Sequence, residues 1–87
     1  MDWDKLKSFY EVAVLKSISK ASVKLNISQS ALSRQIQDLE YNLKTPLFIR
    51  HQKGVRLTEQ GENLFNTVSK IYLSVSEFDK KLQEKKN

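Results

Sequence analysis

The most regular feature of the chain is an apolar stripe in its middle third. Its members are separated by four, three and four residues, the spacing of one side of a helix: Leu32, Ile36, Leu39 and Leu43. The opposite side of that helix carries polar and aromatic side chains: Ser30, Arg34, Gln37 and Tyr41, flanked by Ser33 and Asp38. The pattern predicts a helix over 29–43 that is sealed on one side and presents hydroxyls, amides and a guanidinium on the other.

Two shorter helices are predicted before it. The first runs from Trp3 to about Leu15, is capped by Asp2 or Asp4, and has this inner face: Leu6, Phe9, Tyr10 and Ala13. The second runs over 18–25 behind a Ser17 cap, and its inner side is Ile18, Ala21, Ser22 and Leu25. The small Ala21 and Ser22 would allow another helix to approach closely.

The junction between the second and third helices has the pattern of a helix-turn-helix. Asn26 tolerates the left-handed conformation that ends a helix, and Ser28 can cap the next one. Ile27 and Leu32 have the spacing of a hydrophobic staple across that cap. A helix, a short turn and a newly capped helix are therefore expected in succession.

A two-stranded hairpin, or wing, is predicted next. Pro46 stops helical structure, and short β-favouring runs follow at 47–50 and 55–57. Gly54 can supply the positive φ that a hairpin loop needs, which puts Lys53 near the tip.

The last predicted helix is capped by Thr58 and runs to about Gln83, with apolar positions at a period of 3.5: Leu64, Val68, Ile71, Val75, Phe78 and Leu82. Phe65 and Tyr72 widen this stripe. The first turns are expected to pack on their own domain, whereas the stripe beyond them needs a second copy of the chain. The expected dimer contacts are Leu64, Val68, Ile71, Tyr72, Val75, Phe78 and Leu82. The predicted fold is mainly α: a winged helix-turn-helix over 1–58 and a long dimerisation helix over 59–87.

Composition narrows the class of protein. The 87 residues suffice for one small domain, and they include no cysteine and a single histidine, His51, in the predicted loop. We therefore expect no enzyme activity, no metal site and no cofactor. No apolar run of about 18 residues occurs. The acidic start of the chain does not resemble a signal peptide, so a cytoplasmic protein is expected.

The net charge of +5 is unevenly distributed. It is +2 over 1–27, +3 over 28–58 and zero over 59–87. A face that binds phosphate would produce this distribution, but so would an ordinary soluble basic surface.

The third helix and the wing offer chemistry suited to DNA. Arg34 can donate two hydrogen bonds to guanine, and Gln29 or Gln37 can pair with adenine. The short Ser30 and Ser33 would let the backbone approach and could bond base or phosphate. A second group of three cations lies in the wing and could enter a minor groove: Arg50, Lys53 and Arg56. The alternatives are a solvated helix face and a charged edge that prevents strand aggregation.

These residues are similar to the N-terminal domain of LysR-type transcriptional regulators along essentially the whole chain. The resemblance rests on SQSALSRQIQDLE at 28–40, LF-x-R at 47–50 and LTEQG at 57–61. It implies a bacterial regulator on the nucleoid that binds an interrupted palindrome in double-stranded promoter DNA. It also implies a homodimer through the long helix and a tetramer in full-length members. The DNA contacts that it implies are Ser17, Gln29, Ser30, Ser33, Arg34, Gln37 and Lys53.

Several positions depart from the family pattern. Lys16 and Lys44 stand where glycine is usual, Ser30 where proline is usual, Ile18 where an aromatic residue is usual, and Ser22 where alanine is usual. The family's C-terminal effector-binding domain lies outside this chain, so we expect a piece of a longer regulator and not a naturally short one. Two other interpretations stay open: a molybdate-responsive type of repressor, and a winged-helix module that binds only protein.

Overall fold

The computed structural model describes residues 2–86 and has the predicted order of elements. Three helices come first and are followed by the hairpin and a long helix: α1 (Trp3–Leu15), α2 (Ile18–Leu25), α3 (Gln29–Leu43), β1 (Phe48–His51), β2 (Gly54–Leu57) and α4 (Glu59–Lys86). The winged helix-turn-helix prediction is confirmed. Within the described part of the chain, no helix is both long enough and apolar enough to cross a bilayer.

The first three helices begin at the predicted caps. The backbone N–H of Asp4 donates to Asp2 Oδ1 at 2.9 Å. Ser17 Oγ accepts from the N–H of Lys20 at 3.1 Å, and Ser28 Oγ accepts from that of Ala31 at 3.1 Å. Each bond satisfies a donor that the first turn of a helix otherwise leaves without a partner.

The same three helices end on residues in the left-handed conformation. Lys16, Asn26 and Lys44 have φ of 57°, 59° and 57°. The sequence predicts this for Asn26. At Lys16 and Lys44 the backbone has a conformation that favours glycine. The helices α1 and α3 therefore end at the positions where the family pattern has glycine, although both residues here are lysine.

The core lies between α1, α2, α3 and the wing. Its largest fully buried side chains are Phe9, Leu32, Leu39, Leu47, Val12 and Val68. The predicted inner face of α1 is partly wrong, because Ser8 and Val12 are buried while Leu6 and Tyr10 are only half-buried. Tyr10 is turned toward α4, where its ring stacks on Phe65 with centroids 5.4 Å apart. The stripe of α3 is as predicted except that Leu43 is only half-buried.

The first strand of the wing is shifted by one residue from its predicted bounds, and the second begins one residue earlier than predicted. Leu47 precedes β1 and is buried in the core, whereas His51 pairs with Gly54 to close a two-residue turn at 52–53. Gly54 has φ of 138°, and a Cβ there would lie 2.3 Å from the Lys16 carbonyl oxygen. Glycine is therefore required by both the backbone conformation and the close approach of α1.

The helix α4 is anchored at its first turn. Thr58 Oγ1 accepts from the N–H of Gly61 at 3.0 Å and donates to the Pro46 carbonyl at 2.8 Å. A Cβ at Gly61 would lie 2.1 Å from the Leu47 carbonyl oxygen, so the helix start lies directly against the segment before β1. The helix continues to Lys86, three residues beyond the predicted end, because the sequence after Gln83 contains no helix-breaking residue.

Candidate nucleic-acid interface

The polar side of α3 is open to solvent. All of its predicted recognition residues except Ser33 are exposed: Gln29, Ser30, Arg34 and Gln37. Within residues 2–86 the ion pairs join Lys5 to Asp38 at 3.7 Å and Lys24 to Glu11 at 2.9 Å, so no carboxylate neutralises Arg34. The guanidinium keeps all its donors for an external acceptor.

The turn between α2 and α3 groups several hydroxyls beside that face. Gln29 Nε2 donates to Ser19 Oγ at 3.4 Å, and the hydroxyls of Ser28 and Ser30 lie 3.2 Å apart. Ser17, at the start of α2, is half-buried and uses its oxygen to cap the helix, which leaves its hydroxyl proton available to an acceptor. A helix N-terminus with such a donor suits a phosphate oxygen.

The wing divides its cations between two faces. Arg50 lies opposite Val55 and so shares the core-facing side of the hairpin, where its Nη2 reaches Ser33 Oγ at 3.5 Å. Arg56 lies opposite Ile49 on the outer side. Arg50 is thus brought to the edge of α3, Arg56 is not, and Lys53 stands in the turn at the tip.

Sequence reasoning missed two features around the wing. His51 Nδ1 accepts the backbone N–H of Lys53 at 3.3 Å, so this histidine supports the turn. Lys16, the residue directly after α1, lines a cleft of about 500 Å³ together with His51, Lys53 and Arg56. No sequence motif marks Lys16 for this place, because only the packing of α1 against β2 brings it there.

The apolar stripe of α4 is covered unequally. Val68 is 1% exposed, and Leu64 and Tyr72 are half-buried against the domain. The other predicted dimer residues are between 40% and 60% exposed: Ile71, Val75, Phe78 and Leu82. Leu73 is also exposed but lies on another side of the helix. An apolar row of this length on a helix is typical of a contact surface.

An aromatic cluster joins the middle of α4 to α1. The Tyr72 ring lies 4.4 Å from that of Tyr10 and 5.4 Å from that of Trp3. The Tyr72 hydroxyl is buried without a hydrogen-bond partner among the described residues. Burial raises the pKa of Tyr72 above its usual 10.0, and the negative charge of Glu11 raises it further.

The fold and this arrangement of helices and wing define a helix-turn-helix protein of the winged class. A family model described as "Bacterial regulatory helix-turn-helix protein, lysR family" matches residues 3–62. The chain therefore belongs to the LysR family, as the sequence resemblance implies. The family consists of regulatory proteins, in agreement with the expectation that the chain is not an enzyme.

Individual relatives are similar over most of this chain. The HTH-type transcriptional regulator CzcR of Bacillus subtilis (strain 168) is 43% identical over 79 residues, which are 91% of this chain and 27% of CzcR. The chain thus spans little more than a quarter of this relative's length. The crystal structure of a BenM_DBD/catB site 1 DNA complex is 32% identical with a TM-score of 0.84, covering 97% of this chain and 94% of that one. A CbnR_DBD–DNA complex has a TM-score of 0.81 at 26% identity, with complete coverage of both chains.

Proposed function

We propose that this chain is the DNA-binding part of a LysR-type transcription regulator that binds promoter DNA as a homodimer. In this proposal α3 enters the major groove and the wing meets the adjacent minor groove. The observation that carries it is the open polar side of α3, with an unpaired Arg34, next to a wing that carries three cations. The solved complexes of BenM and CbnR domains with DNA, which share this fold, support it.

Base recognition is assigned to α3. Arg34 is exposed near the middle of the helix and can donate two parallel hydrogen bonds to guanine O6 and N7. Gln29, five residues before it, and Gln37, three residues after it, can pair with adenine. Ser30 is short enough to allow close approach of the backbone.

Phosphate contacts are assigned to the residues around α3. Ser17 donates its free hydroxyl proton at the start of α2, and Ser33 and Arg50 form a joint donor site where the wing meets α3. Lys53 enters the minor groove from the tip of the wing, and Arg56 contacts the backbone from its outer face.

The homodimer forms through α4. Two copies that pair their exposed apolar rows would bury surface that a single chain leaves in water: Ile71, Val75, Phe78 and Leu82. A two-fold axis between them would relate two α3 helices and match an interrupted palindrome. The family resemblance implies a tetramer in full-length members, and we expect the chain to act in the cytoplasm on the nucleoid.

Selection of bound sites from random double-stranded DNA tests the function directly. A palindrome with two half-sites is expected. A plot of the logarithm of the association constant against the logarithm of the salt concentration should fall with a slope of about 0.9 per neutralised phosphate. Recovery of random sequence only would contradict specific recognition. An absence of binding at low salt would favour the protein-interaction alternative.

Replacement of the central guanidinium tests the assignment to α3. Arg34→Ala should weaken binding to the selected site by about 1–3 kcal/mol and relax the preference at one base pair. Lys80→Ala, which removes the same charge from α4, serves as the control. An equal loss on selected and random DNA would show that Arg34 binds only phosphate.

A further inference from the structure

We infer that Glu40 is a positioning residue that fixes the wing relative to α3, an inference that rests on the proposed function. Glu40 lies in the last turn of α3 and is half-buried. Its Oε2 accepts the backbone N–H of Leu47 at 2.6 Å and that of Phe48 at 3.3 Å. One side chain of the recognition helix thus holds the first residues of the wing.

The covalent connection between the two elements does not fix their geometry by itself. Residues 44–47 form no helix or strand, so the chain between α3 and β1 is held through side-chain and tertiary contacts. On the other strand, the N–H of Val55 donates to the Lys16 carbonyl at 3.2 Å. The wing is therefore held on the C-terminal end of α1 by this bond through β2. On α3 it is held by the two backbone bonds to Glu40 and by the contact of Arg50 with Ser33.

Electrostatics alone would not favour an acid at this position. The C-terminal end of a helix carries partial negative charge, and an acid near DNA repels phosphate. The two N–H donors account for the carboxylate, because an acceptor charge strengthens both hydrogen bonds. Loss of a simple surface acid should tighten DNA binding, whereas loss of a positioning acid should weaken it, so the sign of the effect is diagnostic.

The side chain of Glu40 can be altered in two contrasting ways. Both hydrogen bonds end on the same oxygen, so Glu40→Gln keeps an acceptor there and should bind the selected DNA within about threefold of the wild type. Glu40→Ala removes the acceptor of both hydrogen bonds and should weaken binding about tenfold, because the wing is no longer held in place against α3. Glu77→Ala removes the same charge from α4 and controls for net charge.

A pair of double-mutant cycles separates positioning from general destabilisation. The effect of Lys53→Ala, at the wing tip, should largely disappear in the Glu40→Ala background, because a displaced wing no longer places Lys53 in the groove. The effect of Arg34→Ala, on α3, should remain the same in both backgrounds. Circular dichroism and the melting temperature establish that each variant is folded, and Glu40→Asp replaces Glu40→Ala if the alanine variant does not fold.

Three results would overturn the inference while leaving DNA binding intact. They are tighter or unchanged binding by Glu40→Ala, an undiminished effect of Lys53→Ala in that background, and no effect of Lys53→Ala in the wild type. Failure of the wild-type chain to bind any selected site would instead overturn the proposed function.

Discussion

The two halves of α4 continue one apolar pattern but have different surroundings. In the first half, up to Val68, the stripe packs on the domain, and Val68 is as buried as the centre of the core. In the second half, the side chains of Val75, Phe78 and Leu82 are exposed to solvent when the chain is alone. The period of a stripe thus predicts a helix surface that will be covered, but not what covers it. We infer that the first half contributes to folding and the second to assembly.

The largest effect is expected where an acid replaces an exposed aromatic residue of the second half. Phe78→Asp should weaken dimerisation by roughly 3 kcal/mol, about a hundredfold in Kd, because pairing would bury an unpaired carboxylate and lose a phenyl contact. Sedimentation equilibrium measures the dissociation constant of the dimer. Ser76→Asp adds the same charge off the stripe and should leave the dimer intact. A stable dimer of Phe78→Asp would place the interface elsewhere.

A cavity in the first half should act on folding instead. Val68→Ala should lower the free energy of unfolding by about 2 kcal/mol, since the side chain is fully enclosed. Urea denaturation in the monomeric Phe78→Asp background measures the change in the free energy of unfolding without a contribution from dimerisation. If the alanine instead shifts only the dimer equilibrium, the division of α4 is wrong.

The boundary between the halves should respond to alkaline pH. The raised pKa of Tyr72 means that the unfolded chain loses its phenolic proton first. The stabilising contribution is complete below pH 10.0 and is lost as pH rises through the folded pKa. Tyr72→Phe should therefore reduce the fall in the melting temperature above pH 10.0. The exposed Tyr41→Phe is the control, and identical alkaline profiles of the two variants would contradict the expectation.

The smallest effect is expected at an exposed leucine outside the stripe. Leu73 is 63% exposed but shares no side with Phe78 or Leu82. Leu73→Gln should change neither the dimer constant nor the unfolding free energy by more than about 0.5 kcal/mol. A clear loss of dimer in sedimentation would widen the contact surface beyond the predicted stripe.

Local signals in the sequence predict most of this fold. The caps at Ser17 and Ser28, the turn at Asn26 and the stripe of α3 each depend on a few neighbouring residues. The caps and the turn are as predicted, and so is the stripe except at its last position. Pro46 and Gly54 predict the wing, and the apolar period of 3.5 predicts the long helix. These elements form because local preference and apolar pattern agree.

What the sequence does not predict depends on contacts between distant segments. The burial of Val12 depends on how α2, α3 and the wing close around α1, and the turn of Tyr10 toward α4 depends on where α4 crosses α1. Periodicity within α1 contains no information about either. The bond from Glu40 to the wing and the place of Lys16 beside it arise in the same way. The division of the chain at residue 58 and the individual DNA contacts remain predictions.

The left-handed lysines at two helix ends have a consequence for engineering. Lys16 and Lys44 each hold a side chain in a conformation that glycine adopts without a steric penalty. Replacing them with glycine should raise the melting temperature of the domain while leaving the polar side of α3 unchanged, because Lys44 lies at the end of that helix. The two lysines therefore lower the thermal stability of the fold, and two substitutions can restore it.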